Sequence, residues 1–256
     1  MSAAENWNPP PAQLALPEAE THVWRIALDA PQVTVECCLT ELPTADRARA
    51  ERFTFADGRR RYAMARAALR RILGRYLESE PPAGAPVPHA SLDIGTGPHG
   101  KPFLQWDGKA HELRFNLSHT GETAVLAVAW GREVGIDIES VNRPVAMEEL
   151  AGRFFSPSEA TAVMDAPAER RAAVFFRVWT TKEAYVKARG DGLTLPLEQF
   201  DVVGELCQPP GLLATRHDPA DRARWRFAEV ACGEEFACVL AVEKRIGELR
   251  CWQFTV

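Results

Sequence analysis

Two long stretches of the chain carry apolar residues at helical spacing, and shorter apolar runs surround them. Residues 59–77 predict a helix with one buried stripe, and residues 166–188 predict a second long helix that Gly190 ends. Between them, Ser156 is followed by a proline and, at the third position, by Glu159, which indicates the start of a shorter helix. One long helix is therefore expected in each half of the chain.

Short apolar runs of strand length lie before and after the predicted helices. They predict strands at residues 22–28, 113–115, 123–130, 134–139, 225–230, 236–242 and 249–254. The third and fourth of these runs are joined by the turn Gly131-Arg132, so they are expected to pair as a hairpin. The last three runs are interpreted as antiparallel strands. Each half of the chain is therefore expected to hold a long helix and several strands, in matching order.

The composition is typical of an enzyme-sized globular chain. Its 256 residues, 46% of them hydrophobic, are enough to bury a sizeable core as one large or two small domains. No apolar run approaches the roughly 18 residues of a membrane span, and the N-terminus shows no basic region followed by an apolar stretch. We therefore expect a cytoplasmic protein that does not enter a membrane. The net charge of -5 argues against nucleic-acid binding, which usually goes with a basic excess.

The N-terminus and the cysteines add two smaller expectations. Residues 1–20 hold four prolines and little apolar periodicity, so a flexible extension is expected there. The six cysteines show no CxxC pair and no metal-ligand spacing. They are expected to be reduced and mostly buried thiols, so neither a zinc site nor a structural disulfide is predicted.

Two acidic elements of the sequence belong together. Residues two apart in a strand share a face, so Asp137 and Glu139 point the same way. Glu183 and Lys187 are four apart in the second long helix and project from one stripe. Magnesium is typically held by one or two carboxylates together with substrate phosphates. The two elements therefore predict a magnesium site and a substrate that carries phosphate.

Each acidic element alone also has an ordinary structural explanation. Acidic and apolar residues alternate in half-exposed strands, and a Glu four residues before a Lys is a common surface pair on helices. A third motif, Phe115-Asn116-Leu117-Ser118-His119, lies shortly upstream, and in it Asn, Ser and His alternate with Phe and Leu. The order of the three motifs favours a functional site over chance.

Five short motifs carry a resemblance to a known family. They are Gly100-Lys101-Pro102, Phe115 to His119, Gly135 to Glu139, Phe154 to Glu159 and Trp179 to Lys187. In this order they resemble the Sfp-type 4′-phosphopantetheinyl transferases, in the branch that carries Trp and KEA in its last motif. The resemblance covers roughly residues 20–250. One departure is that Gly97-Pro98-His99 precedes the first motif, where several relatives carry another basic residue.

The resemblance implies a fold and its division. The family fold is a pseudo-dimer of two similar α+β halves with antiparallel sheets, and coenzyme A binds in the cleft between them. This implies a flexible N-terminal extension over residues 1–20, an N-terminal half over 21–131 and a C-terminal half over 132–256. Because a pseudo-dimer completes its site within one chain, a monomer is expected.

The resemblance also implies the reaction. The family transfers the 4′-phosphopantetheine of coenzyme A to a serine of an apo acyl or peptidyl carrier protein, with Mg²⁺ as cofactor. Asp137, Glu139 and Glu183 are the implied Mg²⁺ ligands, and Glu183, Lys187 and Asp137 are the implied catalytic residues. Glu183 is the candidate base for the serine proton, and Lys187 is the candidate to stabilise the pyrophosphate.

Contacts with coenzyme A are implied at several positions. They are Arg61, Arg66, Lys101, Pro102, Ser118, His119, Asp137 and Lys187. Residues 47–75 are strongly basic, and the planar guanidinium group fits phosphate oxygens. The resemblance implies Arg61 and Arg66 as the candidates for the 3′-phosphate, while most other arginines of this segment fit a solvated helix face. Lys101 offers a point charge for phosphate or nucleotide, and His119 is a candidate contact of the pyrophosphate.

Two other classes of protein remain open. A magnesium-dependent phosphohydrolase would use a similar carboxylate cluster, but it would need an ordered water as the acceptor and would act without a carrier protein. A non-catalytic module that binds coenzyme A or carrier proteins would be expected to lack a metal carboxylate, and all three are present.

Overall fold

A computed structural model of the chain describes residues 7–78, 89–106, 108–203 and 205–255. The elements of the first half are β1 (Glu20–Ala27), α1 (Gln32–Glu41), α2 (Thr44–Glu51), α3 (Ala56–Glu78), β2 (Asp93–Thr96), β3 (Pro102–Trp106), β4 (Lys109–Ala110), β5 (Leu113–Thr120) and β6 (Thr123–Trp130). Those of the second half are β7 (Val134–Ser140), α4 (Met147–Phe154), α5 (Pro157–Asp165), α6 (Ala168–Arg189), β8 (Phe200–Val202), β9 (Leu212–Thr215), α7 (Asp221–Arg224), β10 (Trp225–Glu229), β11 (Phe236–Glu243) and β12 (Glu248–Phe254). Helices and antiparallel strand pairs occur in both halves, which confirms the α+β class.

Each half packs its long helix against a sheet. The first sheet has the order β12-β1-β6-β5, and Leu69 of α3 shares a buried core with Trp24 of β1 and Phe115 of β5. The second sheet has the order β10-β11-β7, and Tyr185 of α6 shares a core with Val239 of β11. An apolar stripe on one side of each helix explains both contacts.

A third core lies between the two sheets. Ile136 and Ile138 of β7 are buried there together with Val125 and Ala127 of β6. Because side chains alternate along a strand, Asp137 and Glu139 occupy the opposite face of β7, on the side of α6. The packing of the two sheets therefore sets the face on which the acidic pair of β7 lies.

The predicted hairpin of β6 and β7 is wrong. Strand β6 lies between β1 and β5 and is antiparallel to both, so it has no free edge to offer β7. Strand β7 pairs with β11 instead. The turn at Gly131, where φ is 61°, sends the chain out of the first sheet.

The last strand also differs from the prediction. Strands β10 and β11 are antiparallel as expected, but β12 runs parallel to β1 at the edge of the first sheet. The C-terminal strand of the predicted half 132–256 thus completes the sheet of the predicted half 21–131. Parallel pairing needs a long connection between the partner strands, and here most of the chain separates them.

The described part of the N-terminal segment packs against the body of the protein. Trp7 Nε1 donates to the Ala231 carbonyl at 2.7 Å, and Leu14 is buried. The backbone of Asn8 lies beside β12, where its N–H donates to the Cys251 carbonyl at 3.1 Å. These contacts differ from the flexible extension that the prolines predict for residues 1–20. Residues 1–6 of that extension lie outside the described residues.

Several local predictions are confirmed. Ser156 and Glu159 form a reciprocal capping box at the start of α5, with Pro157 at the first helical position. Helix α6 ends at Gly190, which adopts a left-handed conformation with φ 80°. Helix α3 begins at Ala56, three residues before its predicted start.

All six cysteines are free thiols, buried at positions 38, 232, 238 and 251 and exposed at positions 37 and 207. In the part of the chain that the structure describes, no helix combines the length and the apolar character needed to cross a bilayer.

Candidate active site

The site is built where β7 approaches α6 unusually closely. A Cβ atom added to Gly135 would lie 2.2 Å from the Ala184 carbonyl oxygen and 2.3 Å from the Ala188 nitrogen of α6. Only glycine allows backbones to come this close. The contact holds Asp137, two residues along β7, beside the turn of α6 that carries Glu183 and Lys187.

Asp137 is the centre of a buried polar cluster. Its Oδ1 accepts hydrogen bonds from Lys187 Nζ at 2.6 Å and from Ser118 Oγ at 2.9 Å. Lys187 Nζ also donates to Ser118 Oγ at 3.0 Å. Asp137 is only 4% exposed, and its Oδ2 has no hydrogen-bond partner. A buried carboxylate oxygen without a partner is costly, and a bound cation would satisfy it.

Two further carboxylates lie near Asp137 and respond to its charge. Burial and the charge of Asp137 raise the pKa of Glu183, and the same two causes in the same order raise the pKa of Glu139. Glu139 also accepts hydrogen bonds from Thr120 at 3.3 Å and Arg143 at 3.2 Å. The three carboxylates predicted from the sequence are therefore close enough to repel one another.

Lys187 offsets part of this repulsion. Burial lowers the pKa of Lys187, but Asp137, Glu183 and Glu139 raise it, and the net direction is upward. The side chain of Lys187 is 28% exposed, so its ammonium group can also face a ligand. Its charge is therefore retained at neutral pH, as a group that stabilises phosphate oxygens requires.

The donor set fits a hard cation only in part. Among the described residues, no three His, Cys, Asp or Glu side chains form a ready-made metal site. However, Asp137 Oδ2 lacks a partner, and Asp137 and Glu139 both lie close enough to Glu183 to raise its pKa. Magnesium usually takes only one or two carboxylates and completes its shell with waters and substrate phosphates. The residues therefore fit Mg²⁺ held jointly with a phosphate ligand.

A cleft of about 680 Å³ opens beside this cluster. It lies between the loop of residues 99–102, the middle of α6 and residues 192–198. Glu183 and Lys187 contribute its polar side, and Phe154, Trp179 and Leu197 are among its apolar lining residues. This volume lies within the range of about 300–1,000 Å³ that is typical of small-molecule sites.

The loop of Gly100, Lys101 and Pro102 is tied to α6. Lys101 Nζ donates to Glu133 Oε2 and to the Ala188 carbonyl, both at 2.6 Å. Its side chain is 16% exposed, and burial lowers its pKa. The ammonium group thus joins the loop to the ends of β7 and α6, whereas the sequence predicts a charge free to meet phosphate. Pro102 begins β3 and lines the cleft.

The polar face of β5 differs from the predicted one. Asn116 and Ser118 face β7, where Asn116 Oδ1 accepts from the Ile136 N–H at 2.9 Å. His119 points to the opposite face and is exposed, because neighbouring residues of a strand alternate. Desolvation by the surrounding protein lowers the pKa of the His119 imidazole, and the charges of Lys187 and Arg61 lower it further. His119 therefore does not share the face of Asn116 and Ser118, but Lys187 and Arg61 are near enough for their charges to affect its pKa.

The two candidate arginines occupy different environments. Arg61 Nη2 pairs with Glu122 at 2.6 Å, at the turn that follows β5, and its side chain is 34% exposed. Arg66 pairs with Asp46 of α2, which also binds Arg70 at 3.0 Å. Arg61 is close enough to His119 for its charge to lower the pKa of that imidazole, whereas Arg66 belongs to an ion-pair network between α2 and α3.

The chain is similar to known proteins over most of its length. Residues 133–241 match the sequence model of the 4′-phosphopantetheinyl transferase superfamily, and residues 30–131 match that of the 4′-phosphopantetheinyl transferase N-terminal region. The chain is 37% identical over 236 residues to 4′-phosphopantetheinyl transferase HetI of Nostoc sp., covering 92% of each chain. The chain belongs to the 4′-phosphopantetheinyl transferase family.

Other members of the transferase family match over shorter stretches. The identity to 4′-phosphopantetheinyl transferase Sfp of Bacillus subtilis is 34% over 113 residues, which cover 44% of this chain and 48% of that protein. A solved holo-(acyl-carrier-protein) synthase from Bacillus anthracis, in complex with CoA (3′,5′-ADP), is 23% identical with a TM-score of 0.35. The match covers 43% of this chain and 94% of the synthase chain.

In this transferase, two motif residues form a pair that the sequence alone does not reveal. Lys182 of the KEA motif is fully buried, and its Nζ lies 2.7 Å from Glu159 Oε2. Glu159 is recognisable in the sequence as a capping residue, but its partner is not. The available signal is a lysine within an apolar helical stretch, since such a residue is rarely buried unless it is paired.

Proposed function

We propose that the protein transfers the 4′-phosphopantetheine of coenzyme A to a serine hydroxyl of an apo acyl or peptidyl carrier protein. The other product is adenosine 3′,5′-bisphosphate. The observation that carries the proposal is the cluster of Asp137, Ser118 and Lys187, with its unpaired carboxylate oxygen, beside a cleft of about 680 Å³. Family membership supports the reaction class.

The proposed chemistry is a phosphoryl-centred displacement. The serine oxygen bonds to the β-phosphorus of coenzyme A, and the bond from that phosphorus to the bridging oxygen breaks. The serine proton moves to a base, for which Glu183 is the candidate, since burial and neighbouring carboxylates raise its pKa towards the useful range. Lys187 is the candidate to stabilise negative charge on the pyrophosphate and its leaving oxygen.

We also propose that Asp137, Glu139 and Glu183 provide the protein ligands of Mg²⁺. When bound, the ion would neutralise phosphate charge, a contribution worth several kcal/mol to such reactions. Asp137 Oδ2 supports this role because it is buried without a partner. Asp137 Oδ1 accepts a hydrogen bond from Lys187, so Oδ2 is the oxygen that would bind the ion.

Coenzyme A is proposed to lie along the cleft with its phosphates towards the basic residues. Ser118 and His119 are the candidate contacts near the pyrophosphate, and Pro102 with the loop that Lys101 fixes would contact the nucleotide. The 3′-phosphate is assigned to Arg61. Arg60 also holds Glu122, at 2.7 Å, so Arg61 can turn to a phosphate without leaving that carboxylate unpaired.

The function is tested by intact mass. Candidate apo carrier proteins are incubated with the enzyme, coenzyme A and Mg²⁺, and a mass gain of one phosphopantetheine arm on a single serine is expected. A serine-to-alanine carrier serves as the control. Cleavage of coenzyme A without carrier would favour the phosphohydrolase, and binding without either product would favour the non-catalytic module.

Removing the guanidinium of Arg61 should weaken donor binding selectively. Arg61→Ala is expected to raise KM for coenzyme A by roughly tenfold to a hundredfold, the loss of a charge-assisted hydrogen bond of about 1.5–3 kcal/mol. With dephospho-coenzyme A, which lacks the 3′-phosphate, the same substitution should change KM much less. The measurement is KM for both donors at saturating carrier protein.

Arg66→Ala is the comparison variant for Arg61. It removes a partner of Asp46 and should lower stability while changing KM for the two donors by similar, small factors. Equal losses with both donors for Arg61→Ala would place Arg61 on the solvated helix face. The 3′-phosphate role would then return to Arg66 or to another arginine of this segment.

A further inference from the structure

Lys182 is the most deeply buried cation beside the cleft. Its side chain is fully buried, yet all three N–H donors of the ammonium group have acceptors. These are Glu159 Oε2 at 2.7 Å, the Leu197 carbonyl at 2.9 Å and the Phe200 carbonyl at 2.6 Å. The nitrogen also lies 4.3 Å from the centre of the Phe200 ring. A buried ammonium group with a full set of partners has no donor left for a substrate.

Glu159 is equally committed to the protein. It is 4% exposed, and it accepts from the Ser156 N–H at 2.9 Å and the Val202 N–H at 2.7 Å. The pair of Glu159 and Lys182 therefore joins the start of α5, strand β8 and the middle of α6. Breaking one partner of such a buried pair leaves the other charge uncompensated.

Of the two carbonyls bound by Lys182, that of Leu197 belongs to one wall of the cleft, and that of Phe200 follows this wall at the start of β8. Leu197 lines the cleft together with Leu195, Pro196 and Glu198. Lys182 directly precedes Glu183, whose side chain lines the same cleft from α6. The ammonium group thus fixes the distance between the wall and the helix that carries the candidate base.

We propose that Lys182 and Glu159 are a positioning pair that holds the cleft wall of residues 195–198 against α6 and so sets the affinity for the phosphopantetheine donor. This rests on the proposed function, because it takes coenzyme A as the occupant of the cleft. Lys182 does not line the cleft and acts through the wall, in contrast to Lys187. Its position in the KEA motif is thereby explained without contact to substrate.

The test variant is Lys182→Met, which keeps most of the side-chain length but removes the donors to the Leu197 and Phe200 carbonyls. It is expected to raise KM for coenzyme A, and its calorimetric Kd, at least about tenfold, because a loosened wall no longer presents a preformed site. The value of kcat at saturating coenzyme A should change by less than about threefold, since no group at the reacting atoms is removed.

Arg177→Met is the matched control on the same helix. Arg177 is also a buried cation of α6, and it binds Glu229 and the Gln208 carbonyl, away from the cleft. This variant should lose stability comparably while keeping KM and Kd for coenzyme A. Both variants are compared at a temperature at which circular dichroism shows them folded. An equal rise of KM in both would mean general destabilisation and overturn the proposal.

A second variant covers the case that Lys182→Met does not fold. Lys182→Met combined with Glu159→Gln leaves no uncompensated buried charge, yet the Leu197 and Phe200 carbonyls still lack their donor. A raised Kd for coenzyme A supports the positioning role, whereas a normal Kd in the folded double variant overturns it. A collapse of kcat with unchanged KM would instead make Lys182 a participant in the chemistry.

The experiments distinguish a failure of the proposed function from a failure of the positioning role. If the wild-type enzyme modifies no carrier protein, the transferase assignment falls, and the calorimetric Kd for coenzyme A still reports on the wall. If the wild-type enzyme transfers and the Lys182 variants bind coenzyme A normally, only the positioning role falls.

Discussion

Replacing Asp137 with Ala, or Glu183 with Gln, is expected to lower kcat for carrier modification at least about a hundredfold, as comparable electrostatic deletions do. Asp137→Ala removes the buried carboxylate that binds Lys187 and Ser118 and that carries the unpaired oxygen. Glu183→Gln removes a charge and the candidate base at nearly constant volume. Both changes act where charge develops during transfer. The measurement is kcat at saturating coenzyme A, carrier and Mg²⁺, with circular dichroism to verify folding.

The control for these two variants is Glu148→Gln on α4. Glu148 is a half-exposed carboxylate that pairs with Arg171 at 3.3 Å, outside the cluster and the cleft lining. Exposed pairs of this kind contribute little, so turnover should stay near that of the wild type. Near-normal kcat in both site variants at saturating Mg²⁺ would contradict the assignment of Asp137 and Glu183 to the chemistry.

Local periodicity in the sequence was sufficient to place the carboxylates. The spacing of Asp137 and Glu139 put both on one face of β7, and the spacing of Glu183 and Lys187 put both on one stripe of α6. The capping box at Ser156 was likewise predictable, because it depends on residues three apart. Features of this kind require no knowledge of which distant segments meet.

Strand pairing could not be predicted in the same way. Strand β6 was expected to pair with β7 because a short turn joins them, but both of its edges are taken by β1 and β5. Edge availability depends on the whole sheet, including a strand from the other end of the chain, β12. Adjacency in the sequence therefore indicates the wrong partner strand for β6, because the tertiary structure decides which strand edges are available.

The same limit applies to charged side chains. Lys101 was expected to meet phosphate because it stands in a Gly-Lys-Pro loop, yet its ammonium group binds Glu133 and the Ala188 carbonyl. The KEA motif alone gives Lys182 no role, whereas in the structure Glu159 pairs with it in the core. The partner of a lysine is set by the packing of distant elements, and a motif alone does not reveal it.

A single methyl group on Gly135 is expected to abolish most activity without touching a catalytic residue. In Gly135→Ala the new Cβ would lie 2.2 Å from the Ala184 carbonyl oxygen, so β7 must move away from α6. That shift separates Asp137 from Glu183, and a misplacement of about 1 Å can lower the rate a hundredfold. Overpacking should also destabilise the protein by about 1–3 kcal/mol. The measurements are kcat and the free energy of unfolding in urea.

Gly152→Ala provides the matched control for this substitution. Gly152 lies within α4, and an added Cβ would meet no atom within 4 Å. Alanine there should stabilise the helix by up to about 1 kcal/mol and leave kcat unchanged. If Gly135→Ala were as active as Gly152→Ala, the close contact of β7 with α6 would not be what positions Asp137 and Glu183. A loss of activity in folded Gly135→Ala alone, by contrast, would tie the chemistry to the distance between one strand and one helix.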